Sequence, residues 1–172
     1  MAGRGGSLTP RASSLTPGAF ELAYRYLNRR DRTVEEVRRY LAGRGIDEVA
    51  IEAATQELTE QGYLDDARFA RLFVQDKREL EQWGSERIRR GLQARGVDRE
   101  LVAEALAGAD SESEDGVRAL ELLRRRFPDP PCDRRQRERA LGVLLRRGYP
   151  YDLASEALSL HSRPTTAASE DC

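Results

Sequence analysis

The side chains that most often carry chemistry are few in this sequence and are poorly placed for it. The clearest pair is Asp65 and Asp66, two adjacent carboxylates. General acid–base catalysis needs a partner base or a metal beside such a pair, and no histidine or cysteine lies nearby in the sequence. The structural interpretation is that Asp65 or Asp66 caps the helix that carries Phe69, while Tyr63 and Leu64 pack between neighbouring helical units.

The remaining candidates for nucleophilic or metal chemistry are isolated. His161 is the only histidine, and the two cysteines are Cys132, in a proline-rich loop, and Cys172, at the last position. Metal sites and disulfide frameworks need several such residues at close spacing, and a Ser–His triad needs a histidine beside its nucleophile. A glycine-rich phosphate loop is also missing from the sequence. The sequence therefore predicts no catalytic residue, no metal, no cofactor and no enzyme.

Arginine is the one ligand-binding residue type in excess. Of 29 basic residues, all but Lys77 are arginine, which fits either a codon bias or guanidinium forks for phosphate and carboxylate groups. Arg87 and Arg90 are predicted to share a solvated face opposite the apolar stripe of Ile88 and Leu92. The candidate contacts to a partner protein or DNA are Arg87, Arg90, Arg95, Arg124, Arg125, Arg126, Arg134 and Arg135. The alternative is that these are solvated helix faces with local ion pairs.

Charge is segregated along the chain although the net charge is only −1. Residues 47–66 hold seven acids and no base, whereas residues 118–147 hold ten arginines and four acids. Near-zero net charge argues against purely electrostatic, non-specific binding of nucleic acid. The segregation still allows a basic stripe that touches phosphates or an acidic partner.

The composition predicts an all-α fold. The chain has 172 residues, of which 39% are apolar; leucine and alanine number 21 each, against 8 valines and 3 isoleucines. No proline interrupts residues 18–127, and no apolar run is long enough to span a membrane. Residues 1–18 lack the apolar core of a secretory signal and are predicted to be a disordered tail, with an organelle transit peptide as the alternative. We expect a cytoplasmic monomer.

A short string recurs three times and predicts a repeat architecture. Leu41-Ala-Gly-Arg-Gly-Ile46 returns as Leu92-Gln-Ala-Arg-Gly-Val97 and as Leu144-Leu-Arg-Arg-Gly-Tyr149, at spacings of 51 and 52 residues. We predict three tandem three-helix repeats over 19–63, 64–109 and 110–160, and a second disordered tail over 161–172. A fifty-residue unit is marginal alone, so the repeats should stack, share buried surface and form an elongated, curved molecule.

Local signals predict where the helices of each repeat begin and end. Gly45 should supply a left-handed turn after the second helix, and Trp83 is either a surface anchor or a packing residue over an inter-helix turn. The polar run Asp110–Asp115 cannot pack and is either a hinge or the start of the next helix. The predicted helix N-caps are Thr33, which opens a capping box with Glu36, and Asp47, Ser85, Asp98 and Asp133.

Several of these strings also resemble the RecX family. They are Ala23-Tyr-Arg-Tyr-Leu27, Thr33-Val-Glu-Glu-Val37, Gln61-Gly-Tyr-Leu-Asp-Asp66 followed by Arg68-Phe-Ala70, and Gly84-Ser-Glu-Arg-Ile88. The resemblance covers about residues 18–160 and is weakest in the third repeat, with its proline-rich loop. The family-motif residues, read as structural, are Gly62, Tyr63, Leu64, Asp65, Asp66 and Phe69.

The resemblance implies three tandem three-helix repeats and a non-enzymatic modulator of the recombinase RecA. Such a protein binds in the groove of the RecA filament on single-stranded DNA and typically restrains its ATPase, strand-exchange and co-protease activities. Inhibition and stimulation both stay open at this point. The alternative function is a DNA-binding module of helix-turn-helix type without direct RecA contact.

Overall fold

The computed structural model describes residues 18–109 and 112–163, and helices account for most of them. The described part contains no strand, so the predicted all-α class is confirmed. None of its helices is both long and apolar enough to cross a lipid bilayer. In chain order the helices are α1 (Ala19–Leu27), α2 (Val34–Ala42), α3 (Glu48–Glu60), α4 (Asp66–Glu79), α5 (Ser85–Gln93), α6 (Arg99–Ala109), α7 (Glu112–Arg126), α8 (Arg134–Arg147) and α9 (Tyr151–His161).

The helices form three tandem units of three, as the recurring string predicts. In each unit the first and third helices pack against each other: α1 with α3, α4 with α6, and α7 with α9. The second helix of each unit, α2, α5 or α8, packs against both of its neighbours. The exact repeat boundaries and the curved outline stay predictions.

Each repeat builds its own hydrophobic core. In the first, Val37, Leu41 and Leu58 are fully buried; in the second, Ile88 and Leu92; in the third, Leu123 and Leu144. Among the described residues, the buried apolar side chains fall into three clusters, one for each repeat. Neighbouring repeats do share buried surface, but its side chains are polar: Thr33 is fully buried where it contacts Arg95, and Arg78 and Asp115 are buried where α4 meets α7. Neighbouring repeats are held together by polar contacts and by closely packed backbone instead.

Most helix starts are capped by the predicted side chains. Thr33 and Glu36 form the reciprocal capping box at α2, where the Glu36 N–H donates to Thr33 Oγ1 over 3.1 Å. Asp47, Asp98 and Asp133 each accept a backbone N–H at the start of α3, α6 and α8. Ser85 does not cap α5: it is the first helical residue, and the N-cap is Gly84, which has no side chain to offer.

The glycine after each second helix adopts the left-handed conformation that its turn requires. The φ angles are +75° at Gly45, +80° at Gly96 and +88° at Gly148. Non-glycine residues pay a steric cost in this region because Cβ approaches the following carbonyl. The recurring Arg-Gly pair therefore encodes one turn geometry, used three times.

The segment between the first two repeats differs from its prediction in part. Asp65 caps α4 by accepting the Arg68 N–H over 2.8 Å, as expected. Leu64, however, packs inside the first repeat and not between repeats, and Tyr63 lies on the surface of the first repeat, 47% exposed. Leu64 is buried in the first core, and the Tyr63 ring lies edge-on to Tyr24 at 5.1 Å.

Two further expectations near the third repeat are corrected. Asp115, in the run expected to stay unpacked, is buried in α7 and lies 3.6 Å from the Arg78 guanidinium of α4. His161, assigned to the C-terminal tail, is the last residue of α9; it is buried, and its Nε2 lies 2.8 Å from the Phe127 carbonyl oxygen. Residues 1–17 and 164–172 of the predicted tails, and Asp110 and Ser111, lie outside the described residues.

Candidate anion-binding groove between the second and third repeats

Neighbouring repeats meet at two junctions that use the same parts. In each, the turn after the second helix of the later repeat contacts the start of the second helix of the earlier repeat. We call the contact of repeats 1 and 2 the first junction and that of repeats 2 and 3 the second junction. The recurring Arg-Gly turn is therefore a docking element as well as a helix terminator.

The first junction is electrically balanced. The Thr33 hydroxyl donates to the Arg95 carbonyl oxygen over 2.6 Å, and the Asp66 carboxylate accepts the Val34 N–H over 3.0 Å. Arg95 Nε lies 3.7 Å from Glu36 Oε1, so the arginine of the docked turn faces a carboxylate. Burial raises the pKa of Asp66 despite its hydrogen bond from Val34.

The second junction relies on backbone groups where the first uses side chains. The Gly84 N–H donates to the Arg147 carbonyl oxygen over 2.9 Å, and the Glu86 N–H donates to that of Gly148 over 3.1 Å. The turn of the third repeat thus satisfies the start of α5, which has no side-chain cap of its own. The approach is very close, since a Cβ on Gly148 would lie 2.3 Å from Arg87 Cβ.

A second set of contacts fixes the loop before α5. Gln82 has a φ of +52°, which is unusual for a residue with a Cβ. The third repeat holds it there: Tyr149 donates its hydroxyl to the Gln82 carbonyl oxygen over 3.3 Å, and Arg125 donates to the Gln82 side chain. Burial is the main cause that raises the pKa of Tyr149 to about 12.

A groove of about 550 Å³ opens beside the second junction, between α5, α7 and α8. Five arginines line it, which gives it a strong positive charge. Among the described residues that line it, Glu81 is the only acid, and the apolar part of the wall is small. The lining residues are Glu81, Trp83, Arg87, Leu122, Arg125, Arg126, Val143, Arg146 and Arg147.

None of these five arginines forms an ion pair with a carboxylate among the described residues. Arginines elsewhere in the protein do form such pairs; they are Arg25, Arg38, Arg39, Arg89 and Arg134. Three groove arginines donate to neutral acceptors instead. Arg87 donates to the Arg146 carbonyl oxygen over 2.9 Å, Arg147 to that of Glu81, and Arg125 to Gln82. These hydrogen bonds orient three of the five guanidinium groups without pairing them with a carboxylate.

The surroundings of Glu81 and Trp83 show the effect of this charge. Glu81 pairs with Lys77, and that hydrogen bond is the main cause that lowers the pKa of Glu81; Arg87 and Arg147 lower it further by attraction. The Arg87 guanidinium lies over the Trp83 ring, 4.1 Å from its centroid, and Phe73 meets the same ring edge-on at 6.3 Å. Trp83 is therefore a packing residue that also forms a groove wall.

The structure gathers only some of the arginines singled out in the sequence. Arg87, Arg125 and Arg126 meet in the groove. Arg87 is half-buried there, so it does not share a solvated face with Arg90, which is exposed.

The other candidates lie elsewhere. Arg124 is exposed outside the groove, and Arg95 belongs to the first junction. Arg134 and Arg135 lie at the opposite end of α8, about 18 Å from Arg146 at 1.5 Å per helical residue. Three of the candidates therefore share the groove, and the expectation that all of them line one side of the molecule stays a prediction.

Sequence reasoning missed Arg146 and Arg147 as site residues. The signal was present, because the repeat alignment places Arg147 opposite Arg95, next to the turn glycine. The repeat alignment does not show that this turn contacts the preceding repeat. Once it does, the end of α8 lies beside the start of α5, and Arg146 and Arg147 join Arg87.

The chain was also compared with known proteins. Three family models match it in order: the first three-helix domain of RecX over residues 19–58, the second over 65–106 and the third over 114–158. The regulatory protein RecX of Chromobacterium violaceum is 34% identical over 159 residues, which covers 92% of this chain and 93% of that relative. That of Lactobacillus delbrueckii is 43% identical over 99 residues, but the matched segment spans only 36% of that longer relative.

A solved structure shows the same fold. The crystal structure of RecX from Lactobacillus salivarius superposes with a TM-score of 0.73 at 21% identity and covers 83% of this chain and 94% of that one. The domain matches, the relatives and the tandem three-helix fold agree with one another. The chain belongs to the RecX family of regulatory proteins.

Proposed function

We propose that this protein is a non-enzymatic regulator that binds the RecA filament on single-stranded DNA and restrains its ATPase, strand-exchange and co-protease activities. It acts as a cytoplasmic monomer without cofactor or metal. Family membership supports the regulatory role, and the family resemblance supplies RecA as the partner.

The arginine groove is the observation that supports binding to such a filament. Its cations have no carboxylate partner within the described part of the chain, so they are available to an anionic ligand. A RecA filament on DNA presents phosphates and protein carboxylates together, and guanidinium forks bind both. Hydrogen bonds within the protein hold Arg87, Arg125 and Arg147, so these three guanidinium groups are oriented before the ligand arrives.

The helix-turn-helix alternative has less support. A recognition helix reads the major groove with polar and basic side chains near its start. The third helix of the first repeat, α3, carries four glutamates and no basic residue. Its charge would repel phosphates, whereas the basic groups concentrate on α5, α7 and α8.

ATP hydrolysis by RecA on single-stranded DNA tests the proposal. Titration of this protein from well below equimolar amounts should reduce hydrolysis, because one bound regulator affects many filament subunits. Reversing the charge of Arg126 and Arg146, which also line the groove, to glutamate should shift the half-maximal concentration upward by at least tenfold. Arg29→Glu with Arg30→Glu is the matched control, a pair of adjacent exposed arginines just after α1, and should behave as the parent protein.

Arg87 is a poor choice for such a test. Its side chain covers Trp83 and donates to the third repeat, so its reversal would also disturb the fold. If the protein leaves RecA hydrolysis unchanged at every ratio, the proposed function is wrong. If the parent and the Arg126/Arg146 variant inhibit equally, RecA regulation stands but does not use the groove.

A further inference from the structure

We propose that residues 164–172 of the same chain dock in the arginine groove at the second junction and cover it until another anion displaces them. We call these residues the acidic segment, because they contain Glu170 and Asp171 and no basic residue. The inference adds regulation to the groove and in that respect rests on the proposed function. The docking itself needs no RecA.

The end of α9 lies beside one end of the groove. His161, the last residue of α9, is buried with its Nε2 2.8 Å from the Phe127 carbonyl oxygen. Phe127 directly follows Arg125 and Arg126, which line the groove at the end of α7. The last described residue, Arg163, comes two positions after His161, and the acidic segment begins one position later. The segment therefore starts close to the groove.

The acidic segment is long enough to enter the groove. Nine residues span up to about 30 Å when extended, and Glu170 is the seventh of them. The wall that α7 contributes runs from Leu122 to Arg126, which is about 6 Å along the helix axis. The two carboxylates can therefore reach the groove arginines without requiring a fully extended chain.

Charge favours this segment over the other end of the chain. Residues 1–17 contain Arg4 and Arg11 and no acid, so the groove repels them. The groove arginines have no carboxylate partner among the described residues, whereas Glu170 and Asp171 lie outside those residues. Carboxylates bind guanidinium groups through charge-assisted hydrogen bonds. Docking of the acidic segment thus offsets part of the positive charge in the groove.

A covalent link makes a weak contact sufficient. An exposed ion pair contributes little to stability, so two such pairs would hardly hold a free peptide. A segment tethered close to its site acts at an effective concentration in the roughly millimolar range. Docking is therefore reversible and sensitive to salt, and a ligand with more negative charge displaces the segment.

Energy transfer from Trp83 to a label on Cys172 measures the docking. Trp83 is the only tryptophan and forms a wall of the groove, and Cys132→Ser removes the only other cysteine. The full chain, without RecA, carries an uncharged coumarin maleimide on Cys172. Raising the salt concentration from about 0.01 M to about 1 M shortens the Debye length from about 30 Å to about 3 Å. We expect the transfer to fall at least about twofold over this range, because screening releases the segment.

Variants identify the two sides of the contact. Glu170→Gln with Asp171→Asn removes the charge of the segment and keeps its length. Arg126→Glu with Arg146→Glu reverses two exposed charges of the groove. Each pair should lower the low-salt transfer to the high-salt value of the parent. Circular dichroism checks that each variant is folded.

Two controls test whether the contact is specific. Arg29→Glu with Arg30→Glu, the pair of exposed arginines just after α1, should keep the transfer of the parent. Inorganic tripolyphosphate, added to the parent at low salt, should lower the transfer more than sodium chloride of equal ionic strength. The reason is that its phosphate oxygens bind the groove arginines directly and do not act by screening alone.

Four results would overturn the inference. They are a transfer that salt does not change, a charge-free segment that keeps the transfer of the parent, equal losses in the groove and control pairs, and tripolyphosphate that acts no more strongly than sodium chloride. Because RecA is absent from these measurements, their failure leaves RecA regulation to be decided by the hydrolysis experiment. Conversely, a negative hydrolysis experiment would leave the docking of the segment in place.

Discussion

The first and second junctions join similar repeats through the same turn, yet different chemical groups form the contact at each. At the first, Thr33 completes its own helix start and adds a hydrogen bond to the docked turn, and a glutamate faces the arginine of that turn. At the second, the helix start depends on carbonyl groups of the next repeat, and arginines face one another. The two junctions share the geometry of the turn but differ in charge balance, so the architecture depends on the turn and not on the charges around it.

Replacing the turn glycines by alanine should cause the largest loss of stability, and the loss should differ between the two junctions. Gly45→Ala, where nothing lies within 4 Å of the added Cβ, should cost only the left-handed strain, about 1–2 kcal/mol. Gly148→Ala adds overlap with the Arg87 backbone and should cost about 3–4 kcal/mol in free energy of unfolding. Gly96→Ala should lie between, because its Cβ meets the more adaptable Glu35 side chain. Urea unfolding measures all three; equal losses would mean that the junctions do not depend on close approach.

Alkaline pH should weaken the second junction selectively. The pKa of Tyr149 is raised in the folded state to about 12 from its ordinary 10, so its stabilising contribution is complete below pH 10 and is lost as the pH rises towards 12. We expect the parent protein to lose about 2 kcal/mol more than Tyr149→Phe between pH 9 and pH 12 in urea unfolding. The exposed Tyr151 supplies the control: Tyr151→Phe should follow the parent curve.

Thr33 should matter at the first junction through its hydroxyl. Thr33→Ala removes both the helix cap and the hydrogen bond to Arg95, and should lower the free energy of unfolding by about 1–2 kcal/mol. Thr33→Ser keeps the hydroxyl and should lose less than half of that amount. A comparable loss in both variants would show that the buried methyl group, and not the cap, carries the effect.

Asp66→Asn should give the smallest change in stability, and this change should depend on pH. Burial raises its pKa in the folded state, so its contribution to stability is greatest at low pH and is lost as the pH rises above the ordinary aspartate range near 3.8. Asp66→Asn keeps an oxygen for the Val34 N–H and should raise stability at pH 7 by up to about 1 kcal/mol, with no gain at pH 3. Asparagine caps a helix as well as aspartate does. Asp65→Asn should therefore change stability by less than about 0.5 kcal/mol at either pH. Thermal unfolding at the two pH values tests the sign.

Local rules predicted the helices and most of their ends because those features depend on neighbours in sequence. The capping box at Thr33 and the left-handed Gly45 are set within a few residues, and the recurring Arg-Gly string revealed the repeat. What sequence could not supply was how one repeat meets the next. Serine is a common N-cap and predicts one at Ser85, whereas the carbonyl oxygens of the third repeat satisfy the start of α5.

The candidate site was predictable only in part for the same reason. Arg125 and Arg126 were identified from a run of arginines, but periodicity on one helix cannot show that they face Arg87 on another. Arg87 and Arg90 were placed on one solvated face by their spacing. The docked turn covers one of them and leaves the other exposed.

The uncapped start of α5 has a consequence for how the chain is made. Gly84 finds its acceptor, the Arg147 carbonyl, about sixty residues further along the sequence. During synthesis from the N-terminus, the first repeat can close its own helix start at Thr33, while the second waits with an unsatisfied helix end until the third emerges. A ribosome that stalls before residue 147 would therefore hold a chain whose middle repeat is unfinished and exposed to proteases.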